Sequence, residues 1–140
     1  MQVVLDMREK ELEERQMEMA KVLAALNLQQ QKLQEICTHQ EEIKNRLEML
    51  CTSEYLDIEQ IESHRDFGIK LSVDARNQER IIENTKSILK VKQKEVMEAH
   101  QKVEVLKKLK EKQETEYYKE FLKAETKEID DITSARFRFS

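Results

Sequence analysis

A chain of 140 residues has the length of one ordinary domain, yet it holds one glycine, no proline and no tryptophan, and 39% of it is charged. Turns draw on glycine and proline, so this composition excludes a compact globule with many connections and leaves room for very few turns. A net charge of −4, a pI near 5.6 and a mean hydropathy of −0.79 give no basic face for nucleic acid and no membrane-spanning run.

Disorder is the competing reading of so polar a composition. Periodic apolar residues argue against it. Leu5, Leu12, Met19, Leu26, Leu33, Gln40 and Leu47 recur every seven residues, and Arg8, Arg15, Val22, Gln29, Ile36, Ile43 and Leu50 follow three residues after each. This is a heptad seam interrupted by Arg and Gln, and it predicts a first helix over about 1–50. The start carries no apolar signal core with a small-residue cleavage site, so the chain is expected to be soluble and cytoplasmic. Cys37 and Cys51 lie fourteen residues apart, roughly 21 Å along one helix. That is too far for a disulfide, and two free thiols fit a reducing compartment.

The segment CTSEYLDIEQ breaks the pattern and places a turn at about 51–57. Thr52 or Ser53 is a candidate cap, and Asp57 followed by Gln60 resembles a capping box. A second seam then runs through Ile61, Gly68, Ala75, Ile82, Leu89, Val96 and Val103, with His64, Leu71, Gln78, Thr85, Lys92, Ala99 and Leu106 three residues on. It predicts a second helix over about 58–136. Two long helices with a short connection pack antiparallel. The expected fold is all-α, a long two-helix antiparallel coiled-coil hairpin forming one domain over 1–140. With Leu47 opposite His64, the layers become Ile43–Gly68, Gln40–Leu71, Ile36–Ala75 and Leu33–Gln78, and later Leu12–Ala99 and Leu5–Leu106.

The helices differ in length, about 75 Å against about 120 Å. Residue 1 comes level with about residue 110, and the rest of helix two overhangs. That overhang holds Tyr117, Tyr118, Phe121, Phe137 and Phe139, five of the seven aromatic residues. Tyr118, Leu122, Ile129 and Ile132 share one stripe. An apolar helix face without an intrachain partner is an interaction surface. It fits partner docking, or cover by a second copy or by further chain. The lysine-rich VLKKLKEKQ fits an acidic partner or, with glutamates close by, a solvated face, which is the commoner use of such a run.

No zinc-ligand spacing occurs: Cys37 and His39 point to nearly opposite sides of a helix, His64 falls in the seam and His100 stands alone. A hairpin also lacks the concave pocket that catalysis needs. No catalytic, cofactor-binding or metal residues are assigned, and the chain is not expected to be an enzyme.

Two stretches resemble a known family. The opening VLDMREKELEE and the ending LKEKQETEYYKEFLKAETKEIDDITSARF are similar to the flagellar export protein FliJ. The ending is the more specific, combining LKEK, EYYKE, the pattern of Glu125, Lys127, Asp130 and Asp131, and then Arg136–Phe137. The chain departs from the family in its first residues. Members often begin with a basic and aromatic lead, where only Met1, Gln2 and Val3 precede the matching Val4–Arg8.

The resemblance implies a role in bacterial flagellum biogenesis and motility. It would be that of a central-stalk-like protein of type III protein export, which binds and activates the hexameric export ATPase. It implies links to the cytoplasmic part of the export gate and to export chaperones. It also implies a cytoplasmic location, peripheral at the membrane face of the basal body. Carried over by matching position, the ring-side candidates are Leu5, Arg8, Tyr117, Tyr118, Phe121, Leu122, Glu125, Asp130, Arg136 and Phe137. Gate-docking candidates near the turn are Ile36, Gln40, Ile43, Phe67 and Leu71. An injectisome stalk of the YscO type is close in architecture, and a self-associating coiled-coil scaffold is the reading from a different class.

Overall fold

Charge pairs at helical spacing and the absence of proline leave the backbone little reason to stop, and it runs in two long helices. The computed structural model describes residues 1–139, with side chains to Phe137, so the aromatic ring of Phe139 lies outside the described residues. Helix α1 spans Gln2–Thr52 and helix α2 spans Ile58–Phe139, and no strand occurs among the described residues. The fold is all-α, with the two helices packed antiparallel. The chain divides into two compact units, Arg15–Val96 and Met1–Glu14 with Met97–Ser140.

The first unit contains the turn. Thr52 Oγ1 donates to the carbonyls of Glu48 and Met49 at 3.0 and 3.1 Å. This residue, a candidate cap for the second helix, therefore closes the first one instead, satisfying carbonyls that lack an intrahelical partner. Asp57 caps α2: its Oδ1 accepts the Gln60 N–H at 3.2 Å, and its carbonyl accepts the first intrahelical bond from Ile61 N at 3.1 Å. No described residue has a positive φ. A turn that stays in ordinary backbone regions needs no glycine, which reconciles it with a chain holding only one.

The core of this unit is narrow: Leu26, Leu71, Ala75 and Ile82 are buried, together with Gln78 and Thr85. A methyl group placed on Gly68 would lie 3.5 Å from Cγ2 of Ile43. That distance puts Ile43 against Gly68, in the register expected from the heptads. It is also ordinary van der Waals spacing, so the site has room for a Cβ. Gly68→Ala is expected to stabilise the protein by about 1 kcal/mol through helix propensity, read as a higher midpoint in urea at unchanged slope. A lower midpoint would show that the two helices cannot tolerate the methyl.

Polar residues interrupt the seam, and Gln78, Arg15 and Lys92 find partners across it. Gln78, 5% exposed, donates from Nε2 to the carbonyl of Gln29 at 2.9 Å. Nearer the other end of the unit, Arg15 lies 3.3 Å from Glu18 and 3.6 Å from Glu95, while Lys92 lies 3.2 Å from Glu18 and 3.6 Å from Glu95. Two cations and two carboxylates thus alternate around a square shared by both helices. The hydrogen bond and positive charge of Lys92 hold the Glu18 carboxyl below its ordinary pKa of 4.5. Glu18 in turn raises the Lys92 ammonium above its ordinary 10.5.

The linkage has a definite sign. A depressed carboxyl pKa stabilises the fold above the unfolded value, and that stability is lost as pH falls through the folded one. The raised lysine acts at the alkaline end: its stabilisation is complete below pH 10.5 and fades as pH rises through the higher folded value. Thermal melts below pH 4.5 should fall more steeply for the native chain than for Lys92→Met. Parallel curves would mean that the square contributes no pH dependence.

In the second unit the start of α1 packs on α2 around Leu5, Ala99 and Val103, all buried. Lys110 Nζ donates to Gln2 Oε1 at 2.6 Å. Every residue of α2 from 111 to 137 is exposed.

Candidate interaction surface

A helix in water covers its large apolar side chains against another surface wherever it can. Along 111–137 α2 does not. Tyr117 and Tyr118 are exposed, Phe121 is 52% exposed and Leu122 42%, and Ile129, Ile132 and Phe137 are exposed as well. Spacings of four, seven and three residues carry Tyr118, Leu122, Ile129 and Ile132 along one stripe, with Glu125 at the intervening heptad position and Phe121 beside it. Glu125, Asp130 and Arg136 are also exposed. The face therefore offers aromatic and aliphatic area with a carboxylate at its middle.

Two ring-side candidates from the start of the chain sit differently. Leu5 is buried in the seam beside Val103, so its side chain serves packing inside the unit. Arg8 is half-buried, and its guanidinium donates to Glu11 Oε2 at 3.0 Å. It also lines a shallow groove with Val4, Glu98, Gln101, Lys102, Val105 and Leu106. That groove was not read from the heptads. Its signal is Val4 and Val105, apolar residues just off the seam.

Near the turn, the candidates fall on two sides of the seam. Ile43 and Phe67 meet in a shallow depression with His39, Glu42, Asn45 and Arg46, and Phe67 is 46% exposed. On the other side Gln40 and Ile43 line an apolar groove with Lys44, Leu47, Glu48, Cys51, Gly68 and Ser72. Gly68 opens it, since a side chain there would fill the space above Ile43. Ile36 is half-buried, and Leu71 is buried in the seam, where it packs inward.

Among the described residues no three His, Cys, Asp or Glu side chains converge as metal ligands. His39 contacts Glu42 at 3.4 Å, and the His64 Nδ1–H donates to the Gln60 carbonyl at 2.8 Å. Both thiols are free and exposed. No helix among the described residues is long and apolar enough to cross a membrane.

The family profile described as flagellar FliJ protein matches residues 1–140, the whole chain. No curated protein and no solved structure matches it.

Proposed function

The chain belongs to the family of flagellar FliJ proteins, coiled-coil proteins associated with flagellar export, and on that premise we propose that it is the stalk of the export ATPase. In this role it is a non-enzymatic regulator. It enters the hexameric ring with the end that carries the overhanging α2, promotes ATP turnover, and connects the ring to the export gate and to export chaperones. It works in the cytoplasm, at the membrane face of the basal body, with residues 1–140 acting as one hairpin.

The observation that supports this reading is the uninterrupted exposure of 111–137, apolar stripe included. Such a face has large aromatic anchors of the kind that dominate binding energy at protein interfaces. Ring contacts are assigned to Tyr117, Tyr118, Phe121, Leu122, Glu125, Asp130, Arg136 and Phe137, with Arg8 at the margin. Leu5 supports them by holding α1 to α2. Gate contacts are assigned to Phe67, Ile43, Gln40 and Ile36, with Leu71 beneath them.

The test is ATPase stimulation and co-purification with the hexamer, comparing the full chain with one lacking residues 115–140. Loss of both is expected on deletion. Unaltered stimulation by the shortened chain would overturn the assignment.

A further inference from the structure

The overhang is charged unequally on the two sides of its apolar stripe. Lys108, Lys112, Lys119 and Lys123 are spaced by four, seven and four residues, which sets them within an arc of about 60° and along about 22 Å of one flank. All four are exposed. Thr115 lies in the gap of the row on the stripe side, and Glu116 on the far side. The opposite flank carries Glu114, Glu128 and Asp131, and no lysine or arginine falls on it between 111 and 137. Net charge hides this pattern, because the two flanks largely offset each other.

The lysine row does not serve the helix that carries it. Lys108–Lys112 and Lys119–Lys123 are like charges four residues apart, a spacing that destabilises an isolated helix. Arg8 and Lys86 close on glutamates three residues away at 3.0 and 3.7 Å. Among the described residues none of the four lysines closes an ion pair. The row borders Tyr118 and Leu122 of the exposed stripe, so a surface that covers the stripe also faces the row.

A second copy of the chain fits this face poorly. Parallel, in-register pairing sets each residue against its own copy, with Glu125 against Glu125 at the centre of the stripe and Arg136 against Arg136 at its end. Antiparallel pairing escapes that clash. It keeps each flank on its own side of the pair, however, so lysine row meets lysine row. A lipid surface fits poorly as well, since Glu125 interrupts the apolar face at its middle.

We propose that the overhang is read by a different protein, whose surface is apolar along its middle, lined with carboxylates on the edge that meets Lys108–Lys123, and basic at the level of Glu125. The proposal rests on the overhang being the docking face for the ring, and it states what the ring must present there.

Association rates with the purified export ATPase, at about 50 and about 500 mM salt, test it. Lys108→Glu, Lys112→Glu, Lys119→Glu and Lys123→Glu combined should slow association at least about tenfold at low salt. At high salt the difference from the native chain should shrink to about twofold. Lys21→Glu, Lys32→Glu, Lys44→Glu and Lys70→Glu, all at exposed sites in the other unit, change the net charge equally and should stay within about twofold of native. Equal slowing by both sets would reduce the row to bulk charge and overturn the proposal. A native rate for the row variant would overturn it too; if Phe121→Ala with Leu122→Ala still weakens that complex, the ring reading survives alone. A native chain that does not associate with the ATPase would remove the ring reading itself.

Glutamine at the same four lysines adds no charge and should slow association about threefold at low salt. It decides the matter if the reversed row lowers the helical circular dichroism signal. Sedimentation of the native chain alone should give a monomer. A dimer that dissociates on Phe121→Ala with Leu122→Ala would assign the face to a second copy and overturn the proposal.

Discussion

Replacing Phe121 and Leu122 with alanine is expected to abolish stimulation of the export ATPase while leaving the helical circular dichroism signal intact. Both side chains are about half exposed and lie where α1 offers no cover, so their removal opens no cavity within the chain. Alanine is also the better helix former at both positions, by up to about 0.7 kcal/mol. The helix should therefore be no weaker. At an interface the balance reverses. Central anchors of this kind each contribute on the order of 2 kcal/mol or more. Losing two amounts to about 4 kcal/mol, or close to a thousandfold in dissociation constant. Titrating the variant into the ATPase while following phosphate release measures this. If turnover still rises at the native concentration of stalk, the stripe around Phe121 is not the ring contact, and self-association through the same face becomes the reading to test by sedimentation.

Val103→Asp should detach the beginning of α1. Val103 is 2% exposed, the most enclosed side chain among the described residues, and Leu5 and Ala99 are the other buried apolar residues of its unit. A carboxylate placed there enters the apolar cluster of Leu5 and Ala99, and burying a charge among apolar side chains costs several kcal/mol after any relaxation. The unit cannot bear that cost and keep residues 2–14 docked, since a two-helix seam offers little other apolar area. Hydrogen exchange should show residues 2–14 falling to the rate of an isolated peptide, with protection around Ile82 retained. Val103→Ala, which leaves only a small void, should lose about 1–2 kcal/mol and keep partial protection. Equal protection in all three proteins would mean that this cluster does not hold the segment.

These two positions show where the sequence was readable. The hairpin followed from heptads that stop once and resume, and the Ile43–Gly68 contact followed from counting away from the turn. Leu5 and Leu71 illustrate a limit. Each matched a docking position by family pattern, while its place in the seam already committed it to packing inward. A motif carried over by position does not separate a residue that touches a partner from one that holds the contacting residue in place. Thr52 shows another limit. A hydroxyl at a helix boundary can cap the following helix or bond back to the preceding one, and composition does not distinguish these uses. The grooves beside Gly68 and Val105 depend on side-chain volumes across the seam, which a list of apolar positions does not contain. The stripe on the overhang was legible because it needed only helical spacing and the unequal lengths of two helices.

Along 111–137 every residue of α2 is exposed, so the order of this stretch is set by a helix–coil equilibrium. The costly nucleus is already supplied by the packed turns around Val103 and Lys110, and only propagation remains, at little gain per residue in water. The β-branched residues Thr126, Ile129, Ile132 and Thr133 each reduce that gain by a few tenths of a kcal/mol. A partner that reads the helical face captures only the fraction of molecules in which the face is wound, and its apparent affinity is scaled by that fraction. Winding and occupancy are therefore thermodynamically linked. Whatever grips the stripe also stiffens the segment, and whatever loosens the segment weakens the grip.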